Sequence, residues 1–96
     1  MKYVIHKFVL RESTNTIQLE ADAVVLYADR DSREQTPAIW VARRSDWSER
    51  PGGRRTFRVV GTGEPFDTQL EAVGVPRMYG PVRLGEFIFH VFEVGS

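Results

Sequence analysis

The chain has 96 residues, 42% of them hydrophobic and 27% charged, with 13 basic side chains against 13 acidic ones and no cysteine. That is enough sequence for one domain, residues 1–96, with an ordinary globular composition. Zero net charge argues against a general nucleic-acid binder, and the lack of cysteine excludes disulfides and thiolate metal sites.

Along the chain, Tyr3 to Leu10 is rich in β-branched and aromatic residues and reads as a strand. A turn cluster follows, Arg11-Glu12-Ser13-Thr14-Asn15, and then Thr16 to Glu20 alternates polar and apolar. The apolar run Ala23 to Ala28 has strand length, and its valines favour strand over helix. Asp29 to Thr36 is expected to be a charged loop, and Pro37 to Arg43 the next strand. Ser45 to Gly53 is a long polar loop, followed by a strand over Thr56 to Val60. Gln69 to Val75 reads as a strand or one helical turn, and Pro76 and Pro81 bracket a further loop. Glu86 to Val94 closes the chain as the strongest strand. Both its faces carry large groups, so it is central in a sheet or lies at an interface.

Six or seven short strands without a sustained helical period predict an all-β fold, a small single-domain sandwich or partly open barrel. The expected core is Ile5, Ile17, Leu19, Val25, Ile39, Trp40, Val59, Phe89 and Phe92. No apolar run approaches a membrane span, and the N-terminus is too short and too interrupted by charge for a signal peptide. The expected location is the cytoplasm.

Charge is unevenly spread. Six arginines from Arg43 to Arg58 stand against Asp46 and Glu49, a local +4, while six acids from Glu12 to Glu34 stand against Arg30 and Arg33, a local −4. Such segregation steers a charged partner or pairs two copies of the chain, and a small core also favours association. A homo-oligomer, most simply a dimer, is expected.

The richest stretch is Arg54-Arg55-Thr56-Phe57-Arg58-Val59-Val60-Gly61-Thr62-Gly63-Glu64-Pro65. On a strand, Arg54, Thr56 and Arg58 share one face and Arg55, Phe57 and Val59 the other. One reading is an anion site: Arg54 and Arg58 as cationic partners, Gly61, Thr62 and Gly63 as backbone donors, and Trp47 as a stacking cap from the polar loop. The other is a turn that needs positive φ beside a solvated strand face. Gly61-Thr62-Gly63 lacks the Gly-Lys-Ser/Thr of a P-loop and the third glycine of a dinucleotide fingerprint. The only histidines, His6 and His90, lie in predicted strands with no nucleophile or ligand spacing around them. No catalytic residue, metal ligand or cofactor is assigned, and the expectation is a protein that is not an enzyme.

The chain resembles a family of small uncharacterised proteins encoded by tailed bacteriophages and prophages, a domain of unknown function. The resemblance rests on Tyr3-Val4-Ile5-His6-Lys7-Phe8, on Ala38-Ile39-Trp40, on the turn Phe57 to Pro65 and on the ending Phe89-His90-Val91-Phe92-Glu93. The family pattern has histidine where this chain has Glu64, and the arginine-rich stretch from Asp46 to Arg55 is this chain's own. The resemblance implies a β-rich fold and residence in the cytoplasm of an infected bacterial host. It implies no activity. Two functions fit the residues. The first is an oligomeric anti-defence sponge that sequesters a phosphate-bearing nucleotide, a host immune signal. The second is a protein-interaction or virion accessory module acting on a host or phage protein through strand edges and charged patches. Neither calls for a membrane or a nucleic acid.

Overall fold

In the computed structural model of the chain, residues 1–66 and 77–94 are described. They form seven strands: β1 (Tyr3–Val9), β2 (Thr14–Gln18), β3 (Val24–Asp31), β4 (Thr36–Arg44), β5 (Arg54–Gly61), β6 (Arg77–Leu84) and β7 (Phe87–Val94). The helical content of the described residues is a single 3-10 turn, Trp47–Glu49. The strands make two antiparallel sheets, one ordered β1-β4-β3 and the other β2-β5-β7-β6. The all-β expectation holds, as two facing sheets and not a closed barrel.

The core lies between the sheets and follows from strict alternation. Ile39 and Val41 of β4, with Leu10, Leu19 and Ala23 from the connections, meet Phe57 and Val59 of β5, Val82 of β6 and Val91 of β7. Along β5 the inward residues are Arg55, Phe57 and Val59, so Arg54, Thr56, Arg58 and Val60 face outward, as the two-residue period requires. β7 is central, between β5 and β6, which explains why both its faces carry large groups.

Several expectations need correcting. Ile5 is 62% exposed, on the outer face of the first sheet, because β1 alternates in the opposite phase. Trp40 also faces outward and is half-buried, stacked on Tyr27 at 5.2 Å between ring centroids. Ile17, Val25 and Phe89 are partly buried residues packed against the core. Phe92 is buried, yet it lies on the outer side of the second sheet, where Phe66 packs over it at 5.4 Å. The acidic Asp29-Arg30-Asp31 belongs to β3, which pairs with β4 as far as Asp31 opposite Thr36. Pro81 lies inside β6, where the register with β7 shifts between Met78 and Pro81. A proline without an N–H is tolerated at such a break. The expected element at Gln69 to Val75 lies outside the described residues, as does Pro76.

Candidate functional site

The turn after β5 is stiffened from within. Gly63 has φ +86°, which glycine adopts without strain. The Gly61 N–H donates to Glu64 Oε2 at 3.2 Å, the Glu64 N–H donates to the Gly61 carbonyl at 3.0 Å, and the Thr62 N–H donates to the Ile88 carbonyl at 3.0 Å. The turn that was expected to cradle a ligand's anion therefore holds the chain's own carboxylate at Gly61, and spends the Thr62 donor on β7. The Thr62 hydroxyl lies 2.7 Å from His90 Nε2 and 3.3 Å from the Ile88 carbonyl, which fixes the imidazole against the turn.

Beside this turn the outer face of the second sheet opens into a cleft of about 350 Å³. Its floor is Val60, His90 and Phe92. Its walls are the turn Gly61 to Glu64, Phe66 and Met78. The lining is mostly apolar, with His90, Thr62 and Glu64 as the polar exceptions. A volume near the lower end for ligand pockets, with few polar groups, suits one flat ring and not an extended chain.

Register places the arginines relative to this cleft. Val60 pairs with His90 and Arg58 with Phe92. Arg58 is therefore the cross-strand neighbour of a floor residue on the same face, and directly opposite pairs have Cβ atoms about 5 Å apart. Arg54 lies four residues further along β5, about 13 Å from Arg58 at strand rise, and pairs with Gln18 at the short edge strand. Arg58 is thus next to the cleft floor without being among the residues that line it, and Arg54 lies further off.

Trp47 is elsewhere. Its ring covers the Arg43 guanidinium at 3.9 Å and meets His6 edge-on at 5.7 Å, on the β1–β4 side. Beneath it Arg43 and Glu20, each 6% exposed, form a two-point ion pair at 2.6 and 3.1 Å. The hydrogen bonds from Arg43 hold the Glu20 carboxyl below its ordinary range. Trp47 caps a buried ion pair and does not line the cleft.

Most of the basic run is consumed in the same way. Arg44 pairs with Asp46, Arg50 with Asp22, and Arg55 with Glu93 at 2.7 and 2.8 Å. Arg55 also donates to the carbonyls of Glu20 and Ala23, tying the β2–β3 connection to β5 and β7. Burial drives the Glu93 carboxyl upward, but the bonds from Arg55 and from the Tyr79 hydroxyl outweigh it and the net direction is down. Burial, followed by the Glu93 bond, raises the Tyr79 phenol. The opposite charges of residues 12–34 and 43–58 thus meet in part within one chain, which removes part of the charge argument for pairing two copies. Among the described residues no group of three or more metal-ligating side chains is assembled.

Reading the sequence for charge missed Phe66, Met78 and His90 as cleft residues. Only the alternation of β7 carried a signal, by setting His90 and Phe92 on one face.

The family model described as a domain of unknown function, DUF7352, matches residues 1–96. No curated protein and no solved structure matches the chain. No helix of the described residues is long and apolar enough to cross a membrane.

Proposed function

The chain belongs to the DUF7352 family, and we propose from the site itself that it is a non-enzymatic binding protein for a small ligand combining a flat ring with an anionic group, a phosphate-bearing nucleotide. The observation that carries this reading is the apolar cleft of about 350 Å³ whose floor residue Phe92 has Arg58 as its cross-strand neighbour. The ring enters between Phe66 and Met78 and lies against His90, where aromatic faces favour stacking. The phosphate points along the sheet toward Arg58 and away from the glycine turn, where Glu64 repels it. The Glu64 carboxylate suits a neutral donor instead, an exocyclic amine or a sugar hydroxyl. The resemblance to tailed-phage proteins supports taking such capture as sequestration of a host signalling nucleotide inside an infected cell.

Calorimetric titration with mononucleotides and cyclic dinucleotides tests this. Arg58→Ala weakens binding by roughly 10–150-fold, the worth of one charge-assisted contact. Arg54→Ala and Trp47→Phe leave affinity unchanged, because Arg54 pairs with Gln18 about 13 Å from Arg58 and Trp47 packs over Arg43. Absence of binding to every nucleotide in the series overturns the reading.

A further inference from the structure

We propose that β1 is the seam of a symmetric homodimer, in which two β1 strands pair antiparallel about His6 to join two three-stranded sheets into one of six strands. This inference is independent of the ligand reading.

The argument starts from the edges. A two-sheet sandwich leaves strand edges whose unpaired N–H and C=O groups invite another strand, and chains guard them with short strands, bulges, prolines or charges. Three strands here are guarded. β2 has five residues, Thr-Asn-Thr-Ile-Gln. β6 is broken in register between Met78 and Pro81, with the proline inside it. β3 is broken in register between Val25 and Tyr27 and runs alongside β6. β1 carries neither break nor proline, and its seven residues pair with β4 in unbroken register. Its one guarding charge, Lys7, is drawn across the sheet to Asp31.

The hydrogen-bond phase says which groups face outward. The Ser45 N–H donates to the Lys2 carbonyl at 2.9 Å, and the Leu10 N–H donates to the Pro37 carbonyl at 2.8 Å. Both pairs continue the β1–β4 register, so even-numbered residues of β1 hold the hydrogen-bonded positions. Tyr3, Ile5, Lys7 and Val9 therefore turn their N–H and C=O groups away from β4. Outside the strand ladders, no backbone hydrogen bond of the described residues reaches these four.

The occupant that fits is a second copy, because β1 complements its own reverse. Centring on His6 sets Tyr3 opposite the second copy's Val9 and Ile5 opposite its Lys7. All four outward residues then find partners, with about eight hydrogen bonds across the seam. The two His6 side chains then face each other at the centre, and no two lysines do. Centring on Lys7 would oppose two lysines. Centring on Ile5 would leave one end of β1 beyond Tyr3. The half-exposed apolar residues on the outer face, Ile5 and Tyr27 among them, would run on across both copies.

Sedimentation equilibrium from micromolar to sub-millimolar concentration, with amide hydrogen exchange, tests the proposal. Ile5 is 62% exposed, so charged replacements leave the monomer folded. The wild type is expected to dimerise in the micromolar range. Ile5→Lys sets like charges opposite twice and raises the dissociation constant at least about tenfold. Ile5→Glu sets opposite charges there and binds as tightly as wild type or more so. The amides of Ile5 and Lys7 gain protection as concentration rises, whereas those of Val4 and His6 are protected throughout. A monomer at every concentration overturns the proposal. So does a dimer that both substitutions weaken alike, or one that leaves the Ile5 and Lys7 amides unprotected.

Discussion

The clearest residue-scale contrast is between Phe57 and Ile5, both apolar in strands and opposite in fate. Phe57 is fully buried between the sheets, so Phe57→Ala is expected to cost about 3–5 kcal/mol. Ile5→Ala, on the outer face, is expected to cost less than about 0.5 kcal/mol. Urea denaturation of the two variants checks both values, and comparable losses would mean that β1 is placed in the wrong phase. Alternation in β5 sets Phe57 on one face with Val59, yet the expected core named Val59 and not Phe57. At Ile5 alternation is no guide, because β1 carries apolar groups on both faces and nothing local says which face meets the core. Trp40 failed for the same reason. Its place is fixed by Tyr27 across the β3–β4 pair, a partner that only register reveals.

At the scale of elements, the buried Arg43–Glu20 pair joins β4 to the connection after β2, with Trp47 as its lid. Removing one partner leaves the other's charge buried and uncompensated, so Glu20→Ala is expected to cost about 3–5 kcal/mol. Replacing both with apolar residues of similar size, Glu20→Leu with Arg43→Met, is expected to recover most of that loss. Thermal unfolding of the single and double variants tests this; a double variant as unstable as Glu20→Ala would refute it. Such pairing shows why a count of arginines along the chain says little about which of them a ligand could meet. Composition counts charges, but whether an arginine meets ligand or carboxylate depends on which distant strand folds beside it. Glu20 is 23 residues from Arg43, and Glu93 is 38 from Arg55. β6 was hidden in the same way. Its proline and its register break read locally as a loop, and only pairing with β7 makes it a strand.

For the whole molecule, several carboxylates share one pH dependence. Glu20, Asp22, Asp31 and Glu93 are all held below their ordinary values, the first three chiefly by bonds from Arg43, Arg50 and Lys7, and Glu93 by Arg55 and Tyr79 against its burial. A depressed folded-state value means that the unfolded chain binds protons first as pH falls. The stabilisation is complete above the unfolded carboxylate range, about pH 4, and drains away as pH drops through the lower folded values. Calorimetric melting temperatures are expected to be nearly level from about pH 5 to 8 and to fall steeply below about pH 4. Melting temperatures that hold level below that point would contradict it. The strand order also has a consequence in time. Among the described strands only β3–β4 and β6–β7 join neighbours in the chain, while β1 must find β4, and β2 must find β5, across about 30–45 residues. Closing such long loops carries an entropic cost before any contact repays it, which places sheets of this kind among slow-folding topologies. The two local hairpins are therefore expected to form before the N-terminal strands dock. Until they do, β4 and β5 would each keep one side open, and β1 would be unclaimed by its own chain.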